Sequence, residues 1–455
     1  MSSNIDFFFE PESVAIVGAS HKPGKIGFEL VRSILECGFS GEIFPVNPKG
    51  GEILGLKVYK SISDTSSKID VAVIVTPSKT VPNIVKECGL HGIKGCIIIS
   101  AGFSEIGNRK LEKLLLENAK RYDVRIIGPN SAGIINTSAN FHACLEFRVP
   151  KGPVSLISQS GAVGGVMFAM ARAGVIGFNK FVSCGNSCDV NEMDVLKYLL
   201  RDEETKSIAI YVETLHSGRS FLESIRKFKG LKPIIALKGG KFSAGLRAAA
   251  SHTGSLASPY AVYSAVFKQC GIFEVPSIGS LFSSAKISAY HSSSNGERVV
   301  VVTNSGGPGV VATDMCESLG LSVPEPSERL KEKLSTFLPS ICSLRNPIDL
   351  TAMAGYDWYF NTLKEISSSM EYDYILSICV PPSFMDPMDA AKAIVDLYDV
   401  YSEIPVIPCF LYGSMVMKSI KYLEKHNIPC AYSIMDAVYS LKALSYFGRL
   451  RGERS

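Results

Sequence analysis

Short β-branched runs recur along this chain, each followed by a turn and a helical stretch. That alternation constrains its fold more than any other feature. Val14-Ala15-Ile16-Val17, Ile43–Val46, Val71–Val75, Cys96–Ile99 and Val124–Ile127 form one set. Such runs are apolar throughout, which suits strands covered on both faces, so parallel sheets flanked by helices are expected. This set reads as a Rossmann-like unit closing near Asn136. A second set has strands Val154–Ile157, Phe178–Ser183, Ile208–Val212 and Pro233–Leu237, with helices Gly161–Arg172 and Glu192–Leu200. A third opens at Arg298–Val302, continues with Tyr374–Val380 and Val406–Leu411, and ends in a helix over Met435–Phe447. Phe141–Pro153, which contains two prolines, and the serine-rich His291–Glu297 read as linkers. The expected fold class is α/β, with three tandem doubly wound units at 1–140, 152–290 and 297–455.

Composition narrows the function classes. Hydrophobic residues make up 46% of 455, with 23 Phe and 18 Tyr, enough for several packed cores. A formal charge of +4 gives no footprint for nucleic acid or an anionic membrane. Twelve cysteines include no C-x-x-C pair, and Cys96, Cys379 and Cys409 lie inside apolar runs. They read as reduced core residues, not as disulfides or metal ligands. No apolar run approaches the ~20 residues that span a bilayer. The first residues carry no basic segment ahead of an apolar one, so no signal peptide is expected and the chain reads as cytoplasmic.

Three glycine-rich loops each join a strand to a helix, where backbone N–H groups and the helix dipole favour anions. The first, Gly18 to Gly27, departs from G-x-G-x-x-G because Ser20 replaces the second glycine. The next strand ends in Asn47-Pro48-Lys49, with no acid to hold a ribose hydroxyl. Lys49 suits a phosphorylated ribose instead, which points to coenzyme A or NADP over NAD. The other loops are Ser158-Gln159-Ser160-Gly161 and Asn304-Ser305-Gly306-Gly307.

His252 stands among small residues in Ala248-Ala249-Ala250-Ser251-His252-Thr253-Gly254 and reads as a loop residue open to a ligand. The run Ile208–Val212 ends on Glu213, at the end of a strand where ligand chemistry gathers in parallel sheets. A carboxylate there can hold one imidazole nitrogen protonated and leave the other as a nucleophile.

These loops, with Phe9-Glu10-Pro11-Glu12-Ser13 and Asn346-Pro347-Ile348-Asp349-Leu350, resemble the NDP-forming acyl-CoA synthetases, specifically the ADP-forming acetyl-CoA synthetase type. The resemblance runs the length of the chain. It implies a Rossmann-like CoA-binding domain and two flavodoxin-like succinyl-CoA-ligase domains. His252 falls where that family is phosphorylated, and Glu213 where it orients the histidine. The coenzyme A site it implies takes in Gly18, Ser20, Lys22, Gly24, Lys25 and Gly27, then Asn47, Pro48 and Lys49. Thr76, Pro77, Ser78, Ser100 and Gly102 complete it. Phosphate would meet Ser158, Gln159, Ser160, Gly161, Asn304, Ser305, Gly306 and Gly307. The three units leave no room for an ATP-grasp module, so the expected partner is an ATP-grasp β subunit in an α2β2 enzyme, with ADP/ATP and Mg2+ on that subunit. The other ligands would be phosphate and a small carboxylic acid. An NADP-dependent oxidoreductase and a non-catalytic CoA-binding sensor are the rival readings. The role of Asp349 stays open, and it can serve simply to cap a turn.

Overall fold

The computed structural model describes residues 5–65, 67–215, 217–253, 259–291, 294–401, 404–411 and 413–453, with the backbone alone for 249–253. The chain divides into two compact units. One is Met1–Ala169 with Phe178–Phe228 and Ala236–Cys270; the other is Met170–Gly177 with Lys229–Ile235 and Gly271–Ser455.

The first unit opens with a parallel five-stranded sheet. Its strands are β1 (Ser13–Val17), β2 (Glu42–Val46), β3 (Val71–Ile74), β4 (Gly95–Ile98) and β5 (Arg125–Ile127), in the order β2-β1-β3-β4-β5. β2 and β3 flank β1 on opposite sides, so the chain reverses its winding there and opens a crevice beyond the strand ends. Helix α1 (Ile26–Glu36) buries Gly27, Leu30, Val31 and Ile34, a spacing that puts one apolar stripe on the sheet.

Six of the seven strands of a second sheet are β6 (Gly133–Asn136), β7 (Phe141–Cys144), β8 (Lys151–Ser158), β9 (Phe178–Ser183), β10 (Ser207–Val212) and β11 (Ile234–Lys238). They lie in the order β11-β10-β8-β9-β6-β7. The expected linker Phe141–Pro153 is thereby corrected. Phe141–Cys144 is a buried strand in an antiparallel hairpin with β6, and β8 already starts at Lys151. The prolines are tolerated because they only accept: Pro150 O takes the Phe178 N–H and Pro153 O the Lys206 N–H. Pro153 also falls where the β8–β9 register slips, a place where proline removes no ladder bond. Helices α2 (Val81–Leu90), α3 (Arg109–Arg121), α4 (Gly161–Ala173), α5 (Glu192–Arg201), α6 (Gly218–Ile225) and α7 (Ser243–Thr253) follow in chain order. Asn191 fixes the start of α5 by accepting the Met193 and Asp194 N–H groups.

The second unit carries the parallel strands β12 (Val299–Thr303), β13 (Ile348–Asp349), β14 (Tyr374–Cys379) and β15 (Val406–Phe410), in the order β13-β12-β14-β15. Helix α8 (Gly306–Ser318) starts three residues after β12. A wholly buried ion pair, Lys286 with Glu424, sits in this unit. Burial pushes the Glu424 carboxyl up, but Lys286 and the N–H groups of Val175 and Ile176 outweigh it and hold it below the usual carboxylate range. Losing either partner would strand a buried charge, at about 3–5 kcal/mol.

All twelve cysteines are free thiols, as expected, and ten of them are buried. Among the described residues no helix is long and apolar enough to cross a membrane.

Candidate functional site

Three strand ends carry the expected loops, and the structure treats them differently. At the first, Gly18 adopts φ +98°, which favours glycine, and its N–H donates to Val46 O at 3.0 Å. A Cβ on Gly27 would collide with the Gly18 carbonyl, so glycine lets α1 begin directly against the loop. No side chain caps α1. The Asn47 amide is committed to the loop itself, donating to Ala19 O at 2.7 Å and accepting the Lys49 N–H at 3.0 Å. Ser20 Oγ accepts the Lys22 N–H. Lys22, Gly24, Lys25, Pro48 and Lys49 are exposed.

The ends of β3 and β4 close the same crevice. Thr76 Cγ2 lies 3.0 Å from where a Gly18 side chain would begin. Ser100 Oγ donates to Thr76 O at 2.6 Å, and a Cβ on Gly102 would meet Ser78 Oγ at 2.7 Å. Gly18, Thr76, Ser78, Ser100 and Gly102 are thus brought together, with Pro77 exposed between Thr76 and Ser78. His21 was not singled out from the sequence, yet its Nε2 donates to Gly50 O at 2.9 Å and ties the first loop to the loop after β2.

At the end of β8 two of the expected phosphate residues have another use. Ser158 Oγ donates to Ser160 O at 2.6 Å and accepts the Ser160 N–H at 3.1 Å, which folds the turn. Gln159, 8% exposed, accepts the N–H groups of Glu213 and Thr214 at 2.7 and 3.0 Å and donates to Thr214 O at 2.7 Å. Their side chains are spent on the scaffold, which leaves Ser160 and Gly161 at the start of α4. Glu146, unmarked in the sequence, lies against that first turn: its Oε1 sits 3.6 Å from a Cβ built on Gly161. Burial pushes its carboxyl up.

Glu213 follows β10 and is 7% exposed. Tyr211 OH donates to its Oε1 at 3.1 Å. Burial, then the Glu213 charge, pushes the Tyr211 hydroxyl up, so it remains a donor at neutral pH. Gly239 leaves room for both: a Cβ there would meet Tyr211 OH at 2.5 Å and Glu213 Cγ at 3.4 Å. Beside it the buried Lys238 ammonium lies 4.4 Å over the Tyr263 ring. The expected His252 loop is corrected: the backbone is helical from Ser243 to Thr253, and His252 sits in the last turn of α7. Its side chain lies outside the described residues.

The third loop repeats the second. Thr303 Oγ1 donates to Ser305 O at 2.9 Å and accepts the Ser305 N–H at 3.1 Å. Asn304, 2% exposed, accepts the Val380 N–H at 2.8 Å and donates to Val380 O at 2.9 Å. Ser305, Gly306 and Gly307 are at least partly exposed at the start of α8, which no side chain caps. Asp349 Oδ1 accepts the Thr351 N–H at 2.9 Å, so it does cap a turn.

Three family matches fall on the sequence in turn: a CoA binding domain over residues 12–137, a succinyl-CoA ligase like flavodoxin domain over 151–288, and a ligase-CoA domain over 299–450. The alpha subunit of acetate–CoA ligase [ADP-forming] II of Pyrococcus furiosus is 40% identical over 93% of this chain and 94% of its own length. The chain belongs to the ADP-forming acetate–CoA ligase alpha-subunit family. The acetate–CoA ligase [ADP-forming] of Methanocaldococcus jannaschii is 39% identical over 97% of this chain, which spans 63% of that longer protein. Among solved structures, acetyl-coenzyme A synthetase 1 of Ca. Korarchaeum cryptofilum, in complex with phosphate and ADP, superposes with a TM-score of 0.91. It is 35% identical and covers 99% of this chain and 98% of its own. Membership in this family settles the α/β class and disfavours both the oxidoreductase and the sensor.

Proposed function

We propose that this chain is the α subunit of an ADP-forming acyl-CoA synthetase that turns acyl-CoA, phosphate and ADP into a small carboxylic acid, CoA and ATP. Its three stretches divide the work: 1–140 holds coenzyme A, 152–290 carries the phosphohistidine, and 297–455 supplies a second ligase-type unit. The observation that carries this reading is Glu213, buried at a strand end between Gln159 and Tyr211, in the unit whose helix α7 ends at the His252 turn.

The first crevice fits coenzyme A better than a dinucleotide. Its helix start has no side-chain cap, and Lys22, Lys25 and Lys49 are exposed where phosphates of the coenzyme would lie. A phosphate oxygen attacks the thioester carbonyl, the C–S bond breaks, and the thiolate leaves and takes a proton as free CoA. A ring nitrogen of neutral His252 then attacks the phosphorus of the acyl phosphate, and the P–O bond breaks to release the carboxylate. Glu213 accepts the other imidazole N–H and stabilises the charge that grows on the ring. The first N–H groups of α4, starting at Gly161, face the phosphoryl oxygens without the tight ion pairs that would trap them. Transfer to ADP takes place on an ATP-grasp β subunit, which holds the nucleotide and its Mg2+ in a cytosolic α2β2 enzyme.

His252→Ala tests this reading. With the β subunit present, ATP formation from acetyl-CoA, phosphate and ADP should vanish, while calorimetry shows CoA bound as in the parent chain. Net turnover above background by a pure, CoA-binding Ala variant would overturn the assignment.

A further inference from the structure

One junction in the first unit ties the Ser100–Gly102 loop to two other elements. The short turn Ser104–Ile106 follows Gly102, and α7 packs against it. In this turn Glu105 Oε1 accepts the N–H groups of Gly102 and Phe103, the latter at 3.1 Å. Glu105 Oε2 accepts the Asn186 side-chain amide at 2.6 Å, and Asn186 lies in the loop after β9. The same amide nitrogen reaches Glu112 Oε2 at 2.9 Å and Ser104 Oγ at 3.1 Å. Two carboxylates are thus gathered on one neutral donor, a place where either would otherwise repel the other. Burial pushes the Glu105 carboxyl up, but Asn186 and the loop N–H groups outweigh it and hold it below the usual range. It is ionised at neutral pH, and bonds to a charged acceptor are the strong ones.

We propose that Glu105 is a positioning residue: it braces the coenzyme loop on the turn against which α7 packs, and through Asn186 fixes that turn to the loop after β9, so that the thioester meets phosphate beside His252. This rests on the reading of that loop and of His252 given above. Glu105 touches neither substrate nor reacting atoms, so its loss disturbs only the step that needs coenzyme A in place.

The test uses the enzyme with its β subunit and phosphorylates the α chain from either side. Acyl-CoA with labelled inorganic phosphate requires the coenzyme loop, whereas γ-labelled ATP requires only the β subunit and α7. Asn186→Ala should slow labelling from the acyl-CoA side about tenfold, the size of one charge-assisted hydrogen bond, and leave the ATP side unchanged. Glu105→Gln should do the same, because its amide faces Asn186 donor to donor while the bonds to Gly102 and Phe103 survive. Equal slowing from both sides, or no change on either side, in a variant that melts like the parent overturns the proposal. A parent enzyme labelled from neither side would overturn the functional reading itself, and this proposal with it.

Discussion

At the ends of β8 and β12 the chain builds one device twice. In each, a hydroxyl residue (Ser158 or Thr303) closes the turn on a serine two residues on. The next residue (Gln159 or Asn304) lays a buried side-chain amide across the end of the neighbouring strand. A helix then starts at the turn, with Glu146 beside the first copy and Asp349 beside the second. What differs is the strand end that is pinned. In the first unit it carries Glu213, with Tyr211 two residues before it. In the second it is Val380, followed by Pro381 and Pro382, with no ionisable group. The turn is therefore a scaffold used twice, and only in the first copy does the pinned strand end carry a carboxylate.

The largest expected effect removes that distinction. Glu213→Gln keeps a hydrogen-bond acceptor but loses the charge, and should slow histidine phosphorylation by a factor of about 10² to 10⁴ in rapid-quench measurements. An unchanged rate in a folded variant would reduce Glu213 to a structural acid and make the two loops equivalent. Next come the pinning amides. Gln159→Leu and Asn304→Leu each leave buried backbone groups unpaired and should each lower unfolding stability by about 2 kcal/mol, read from denaturant melts. Their kinetic effects should part. Gln159→Leu also frees the Glu213 backbone and should slow phosphorylation at least about tenfold, while Asn304→Leu stays within about threefold. Equal slowing by the two would break the comparison. Tyr211→Phe deletes one neutral donor to Glu213 and should cost about three- to tenfold in the same assay, between the two pinning variants.

Much of this was legible because it is local. The apolar runs at Val14–Val17 and Ile208–Val212 mark strands buried on both faces, and the acid that ends the second run is in place. The hairpin strand Phe141–Cys144 was hidden by the prolines and charges that follow it, since its pairing depends on β6 and not on its own pattern. The helical turn at His252 was legible in principle, for Ala248, Ala249 and Ala250 are the strongest helix formers. They read instead as small residues that admit a ligand. The work of Gln159 was not legible, because its partners lie 54 and 55 residues away. Asn186 and Glu105, 81 residues apart, meet only once the two sheets of the first unit have formed.

The central claim is that of two like turns only the first serves a covalent step, at His252. It is tested most directly by treating the enzyme with acetyl-CoA and labelled phosphate, quenching in base, and mapping the label by peptide mass spectrometry. The account predicts a base-stable, acid-labile phosphate on His252 alone, strongly reduced in Glu213→Gln. Label on any residue of 299–455, or turnover that proceeds with no labelled histidine, would contradict it.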